Sequence, residues 1–331
     1  MPSPSNPAVA DDPTNLKARA ALTESIRSEC ALMFAGAGFS APAGFPTWTA
    51  LLEKLEQLCA RVGSGFTPNP ELRDGDPLEY ANTIQDHVRR ATGSLAQYEA
   101  ELQDFFKGPP QILQFHRDTV ALPFRGFLTT NYDNTIQTAL AKVEHEPADK
   151  HIIITEDNGR HRYDYLSGLP RRGTPRMVAH LHGYYWNPET IVLSARDYSR
   201  VYGTVGDNSV SRPLPDFLQN ILSIWGLVFI GFSLKDPRLV AFLDAATARY
   251  QLWNRDIHFV LLETTTRTEA SDRGKAEWLK SKYGVRTVFY DNTDGTHRNL
   301  YELIRELREQ LAPSDASFAT INARMMEGMT T

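Results

Sequence analysis

Ala31-Leu32-Met33-Phe34-Ala35, running into Gly36-Ala37-Gly38-Phe39-Ser40, is the stretch on which the fold turns. A short apolar run stopped by glycine reads as a strand buried on both faces. The glycines behind it let main-chain N–H groups approach a ligand closely, and a helix starting there favours negative charge such as phosphate. The spacing departs from two common phosphate loops. Ala41 stands where GxGxxG needs its third glycine, and no Gly-Lys-Ser/Thr follows as in a Walker A loop. Taken alone, a plain tight turn accounts for Gly36-Ala37-Gly38 equally well.

Outward from this point the arrangement repeats. Apolar runs at 125–130, 177–181, 224–230, 257–262 and 286–290 read as further strands, and 151–155 is a β-branched run. Helical spacing marks 14–27, 47–60, 131–143, 237–250, 275–283 and 299–311. In 47–60 Leu51, Leu52, Leu55 and Leu58 share one face, with Thr47 or Thr49 as the cap. Residues 62–123 are helical and polar, broken by Gly and Pro, and read as a small helical module inserted in the main fold. Strands alternating with helices predict an α/β, Rossmann-like fold: a mostly parallel sheet with helices on both faces. One domain spans 15–312, insert included. Residues 1–14, rich in Pro, Ser and Asp, read as a disordered arm, and 313–331 as a flexible tail.

In such sheets ligands bind beyond the carboxyl ends of the strands, near the topological switch point. The residues there are Gly36 to Ser40, Asn131-Tyr132-Asp133, His182-Gly183 and Gly231-Phe232-Ser233. All are polar or glycine-rich and each follows an apolar run. Asn131 or Asp133 serves as a helix cap, or else holds a water or a ribose hydroxyl. His180 and His182, two apart on a strand, point to the same side, so a metal pair is conceivable, but no Cys, Asp or Glu stands at ligand spacing. General acid–base work suits a strand-end histidine. Ser233 bonds a ligand hydroxyl or caps the next helix. Tyr184-Tyr185-Trp186 offers rings for stacking on a base or for filling core and rim. The 62–123 module, close in sequence to the first glycine loop, is placed to cover the site.

Composition narrows the field. The formal charge of −5 argues against non-specific nucleic-acid or membrane binding, which needs a basic surface. Cys30 and Cys59 are the two cysteines, too few for a four-cysteine zinc ribbon. They read as buried thiols in a reducing compartment. No run approaches the ~20 apolar residues of a membrane span, and the N-terminus lacks the basic start and apolar core of a signal peptide. A cytoplasmic protein is the expectation.

Four motifs in order resemble the sirtuins, in particular the divergent bacterial sirtuin-like branch of anti-phage defence: FAGAGFSAPAGFPTW (34–48), LTTNYDNTI (128–136), HLHG (180–183) and FIGFSLKDP (229–237). The resemblance implies that Gly36, Ala37, Gly38 and Ser40 grip the NAD pyrophosphate and that Gly231 and Ser233 meet the adenosine side. It implies that Asn131 holds a water near ribose C1′, that Asp133 meets the nicotinamide amide, and that His182, directly before glycine, is the catalytic histidine rather than His180. Protein-deacylating sirtuins carry a four-cysteine zinc module and a Phe-Arg pair after the loop's Gly-x-Pro. Here there is no such module, and Thr47-Trp48 follows Pro46. Both departures point from peptide deacylation to NAD+ hydrolysis, giving nicotinamide and ADP-ribose, with NAD as substrate and no metal. The rival readings are an NAD-dependent deacylase or ADP-ribosyltransferase, and a non-catalytic NAD or ADP-ribose sensor. The resemblance further implies a homo-oligomer, or a regulatory partner such as a HerA-like ATPase or an Argonaute-type protein.

Overall fold

The computed structural model describes residues 12–145, 151–155, 159–171, 174–203, 213–232, 234, 240, 243, 247 and 257–312. In chain order its elements are α1 (Pro13–Arg27), β1 (Ala31–Ala35), α2 (Ala37–Ser40), α3 (Trp48–Val62), α4 (Pro70–Gly75), α5 (Pro77–Thr92), α6 (Ala96–Phe106), α7 (Gln114–Ala121), β2 (Phe127–Thr129) and α8 (Thr135–Glu144). There follow β3 (His151–Ile153), α9 (Gly159–Gly168), β4 (Val178–His180), α10 (Ala195–Tyr202), α11 (Pro213–Ile224), β5 (Gly226–Ile230), β6 (His258–Thr264), α12 (Glu269–Tyr283), β7 (Val285–Asp291) and α13 (Arg298–Leu311). The seven strands form one parallel sheet in the order β3-β4-β2-β1-β5-β6-β7. This is the α/β, Rossmann-like architecture that the alternating pattern predicts.

The central strands read as unbroken apolar runs because both of their faces are buried. Side chains alternate across the sheet. Leu32, Phe34, Leu128, Leu227 and Phe229 join one apolar cluster, completed by Tyr165 of α9, Phe217 and Ile221 of α11, and Leu279 and Tyr283 of α12. Ala31, Met33, Phe127, Val228 and Ile230 face the other cluster, with Leu22 and Ile26 of α1, Phe115 and Val120 of α7, Ile136 of α8, and Leu303 and Ile304 of α13. A third cluster is built by α3, α5 and α6 from Leu52, Leu55, Tyr80, Ile84, Val88 and Leu102, and it closes on Tyr132, Ile153, Tyr184 and Leu193. Packing thus joins α3, which ends at Val62, to the helical module, and gives α7, drawn from the module's last residues, to the flank of the sheet. Apolar partners settle this division, and helical spacing alone does not record them.

Local departures from the sequence reading have local causes. The helix expected at 131–143 begins at Thr135, because Asp133 Oδ1 accepts from Thr135 N (2.9 Å) and Asn131 N–H donates to Thr129 Oγ1 (2.9 Å), which folds 131–134 into a loop. The helix expected at 275–283 starts a turn and a half earlier, at Glu269. Cys30 is exposed and only Cys59 is buried, since Cys30 precedes the strand rather than entering it. The first helix begins at Pro13, capped by Asp12, which accepts from Thr14 N and Asn15 N. Residues 1–11, the tail 313–331 and most of the predicted helix 237–250 lie outside the described residues. No described helix is long and apolar enough to cross a membrane.

The β7 edge is finished by a side chain. Asn15 Oδ1 accepts from Phe289 N (2.8 Å) and Asn15 Nδ2 donates to Phe289 O (3.1 Å), so the amide takes the place of a neighbouring strand. Asn15→Leu strips partners from both main-chain groups. It is expected to cost about 1–3 kcal/mol in a urea melt, the usual penalty of an unmade buried hydrogen bond; an unchanged midpoint would contradict this role.

Candidate functional site

The strand order reverses at β1, which lies between β2 and β5. Beyond the carboxyl ends of β1, β2, β4 and β5 opens a cavity of about 600 Å³. Ala37, Gly38, Ser40, Asn131, Asp133, His182 and Gly231 all line it. Gly36 lies just behind, at the end of β1, and Ser233 falls outside the described residues. So residues far apart in sequence, drawn from all four strand-end motifs, share one cavity at the switch point, where α/β sheets bind ligands.

The glycines at this point fit two loops together. Gly36 N–H donates to Ile230 O (3.0 Å) and Gly38 N–H donates to Gly231 O (2.9 Å). A Cβ on Gly36 would stand 2.5 Å from Gly231 O, and one on Gly231 only 2.3 Å from Phe39 N. The expectation that these amides reach toward phosphate meets a competing use, since two of them already tie the β1 loop to the β5 loop. Ala37, Gly38 and Ser40 still present their surfaces to the cavity.

Asn131 is held on all sides but one. Its Nδ2 donates to Gly36 O (2.9 Å) and to Ser40 Oγ (2.8 Å). Gly36 O can only accept, which fixes the amide nitrogen on that side and leaves Oδ1 as the remaining acceptor. Among the described residues Oδ1 takes no hydrogen bond. Asp133 is 4% exposed, and burial pushes its carboxyl above the usual carboxylate range, against the Thr135 N–H bond to its Oδ1 and the neighbouring Ser40 hydroxyl.

His182, 2% exposed, follows β4. Its Nε2 lies 2.7 Å from the Tyr202 hydroxyl, and its ring meets Tyr198 edge-on at 5.1 Å. Tyr198 and Tyr202 stack on each other, one helical turn apart on α10. His180 does not line the cavity; it is wholly buried beneath Asn131. The two histidines therefore do not form a metal pair, and among the described residues no three His, Cys, Asp or Glu side chains gather as a metal site would need.

The cavity's apolar wall comes from residues that strand-end reading passes over. Trp48 and Leu51 of α3, Pro77 and Leu78 of α5, Phe106 of α6 and Tyr198 of α10 line it. Trp48 is one of the two residues standing in place of Phe-Arg, and the other, Thr47, caps α3. Tyr184 and Tyr185 are buried in the third cluster and Trp186 is exposed, so none of the three lines the cavity. The i, i+4 pairing of Tyr198 with Tyr202 is readable in sequence as one aromatic face; nothing in the spacing links it to His182.

Residues 125–288 match the model of the SIR2-like domain family. The seven-stranded parallel sheet and the cavity at its switch point agree with a SIR2-like fold. It is 25% identical over 299 residues to the NAD(+) hydrolase ThsA of Bacillus cereus (strain MSX-D12), covering 87% of this chain and 56% of that protein. It is 24% identical over 222 residues to the NAD(+) hydrolase ThsA of Enterococcus faecium, covering 67% of this chain and 41% of that protein. It is also similar to Defense-associated sirtuin 2 of Bacillus subtilis, at 25% identity over 229 residues, 67% of this chain and 20% of that protein. The chain thus spans little more than half of the first of these relatives, and less of the others.

Proposed function

We propose that this chain is an NAD+ hydrolase that releases nicotinamide and ADP-ribose, acting as a defence effector that depletes NAD. The observation that carries the reading is the anchoring of Asn131. Both hydrogens of its amide are used, which leaves Oδ1 as the acceptor of a side chain that lines the cavity with His182 and Asp133. The names of the relatives, NAD(+) hydrolase and defence-associated sirtuin, agree with it.

The bond to be broken joins ribose C1′ to a pyridinium nitrogen. Its electron pair leaves with nicotinamide, which departs neutral, and the ribose becomes oxocarbenium-like, as in glycoside cleavage. A water held by Asn131 Oδ1 adds its oxygen to C1′. The proton it gives up passes to His182, which acts on the water or on a ribose hydroxyl, and then to solvent. Tyr202, bonded to His182 Nε2, steadies the ring. Asp133 orients the carboxamide; its raised pKa favours a shared proton at this contact. The aromatic wall of Trp48, Phe106 and Tyr198 excludes water other than the one that reacts. Ala37, Gly38, Ser40 and Gly231 receive the pyrophosphate and adenosine, and Ser233 is assigned to the same side. Such an activity has to be restrained in its own cell, so control through self-assembly or a regulatory protein partner belongs to the same proposal.

NAD+ and NADH offered side by side test the leaving-group argument. NADH lacks the pyridinium charge, so the chain is expected to cleave NAD+ at least about 10²-fold faster, a difference of roughly 3 kcal/mol in barrier. EDTA is expected to leave the rate unchanged. Equal cleavage of NADH, or loss of activity in EDTA restored by zinc, would overturn the mechanism.

A further inference from the structure

We infer that His180 is the positioning residue for Asn131, donating from Nδ1 to its main-chain carbonyl; this rests on the proposal that Asn131 holds the attacking water. By sequence His180 is the histidine set aside in favour of His182. In the structure it ends β4, beside Thr129 of β2, and none of its surface is exposed. Its Nδ1 lies 3.0 Å from Asn131 O. A carbonyl can only accept, so the proton sits on Nδ1. The lone pair of Nε2 is then met by Gln137 Nε2, which donates from α8 at 2.6 Å. The rings of Tyr184 (4.6 Å) and His151 (5.9 Å) pack against the imidazole. Burial, and His151 beside it, hold its pKa down to about 3, so one neutral tautomer persists across the physiological range.

The consequence lies in the loop that carries Asn131. Thr129 Oγ1 accepts from Asn131 N (2.9 Å) and donates to Ala35 O (3.0 Å), and His180 takes the Asn131 carbonyl. Both main-chain polar groups of Asn131 are thereby fixed, one from β2 and one from β4. With its amide nitrogen tied to the β1 loop, Oδ1 is the one polar atom of the residue left for a reacting water. Releasing the carbonyl frees the peptide plane to turn and carries Oδ1 with it. A misplacement of about 1 Å in such a group costs on the order of 10²-fold in rate.

Two nearly isosteric replacements separate this role from simple packing. His180→Asn puts an amide N–H where Nδ1 stands; His180→Gln puts it where Nε2 stands. His180→Asn is expected to keep kcat for NAD+ within about threefold of wild type, while His180→Gln loses about tenfold or more with KM changed less than about twofold. Equal kcat in the two variants would overturn the inference. If His180→Gln does not fold, His180→Asn decides alone: a folded protein, by circular dichroism, that has lost about tenfold in kcat overturns it. Asn131→Ala, run in parallel, tells the two failures apart. Wild-type turnover in Asn131→Ala removes the reading of the site itself, whereas an inactive Asn131→Ala beside matching His180 variants removes only the role of His180.

Discussion

Asn131→Ala and His182→Ala are each expected to lower NAD+ turnover by about 10²-fold or more, the usual effect of removing a positioned acid, base or water-holding group. The two side chains line one cavity from the ends of different strands, β2 and β4. His182 is buried against Tyr198 and Tyr202, so its removal costs stability as well as chemistry. Asn131→Ala also unties Gly36 O and Ser40 Oγ, and some loss of stability accompanies it. Because the two groups serve the same step, the double variant is expected to fall well short of the product of the single losses. Nicotinamide release followed by chromatography, with thermal melts as the folding control, gives the answer. Folded single variants at the wild-type rate would remove both residues from the mechanism.

Gly231→Ala is expected to be strongly destabilising. Gly231 has φ +64°, where an L side chain costs about 1–2 kcal/mol by itself. The added Cβ would also lie 2.3 Å from Phe39 N and 2.6 Å from Gly38 C, both main-chain atoms that no rotamer change can move aside. The two loops must part, and the Gly38 N–H to Gly231 O bond goes with them. A loss of about 3 kcal/mol or more follows, read as a fall in Tm of roughly 6–12 °C. Gly295→Ala is the control. It has a similar φ of +70° with nothing within 4 Å, so it reports the backbone strain alone. Equal Tm losses in the two variants would show that the interlock of the loops carries no weight.

The strands were legible because parallel strands buried on both faces cannot help being apolar runs. The run 31–35 matches β1 residue for residue, and the β-branched run 151–155 contains β3. Their lateral order was not legible. The chain visits β3 before β4, yet β4 lies beside β2, and no single segment encodes that exchange. The floor of the cavity was readable for a related reason. Polar and glycine residues that interrupt apolar runs must fall at strand ends, and strand ends in this fold converge. The wall was hidden, since Leu78 and Phe106 look like any core residue of an amphipathic helix until tertiary packing turns them toward the cavity. The glycine loop is half legible. Its need for glycine was clear, but the partner that demands it is Gly231, nearly two hundred residues away in sequence. His180 and His182 were separable only by the resemblance. Geometry now distinguishes them, since one imidazole is buried under a loop and the other is set against Tyr202 at the cavity.

On the proposed mechanism this chain itself breaks the nicotinamide–ribose bond, with water as acceptor. The direct test is to incubate the purified chain with NAD+, without any acylated peptide or protein acceptor, and to quantify nicotinamide and ADP-ribose against the Asn131→Ala variant. Equimolar nicotinamide and ADP-ribose are expected, both above the level of that variant. Intact NAD+, or nicotinamide released only when an acyl-lysine peptide is added, would contradict it.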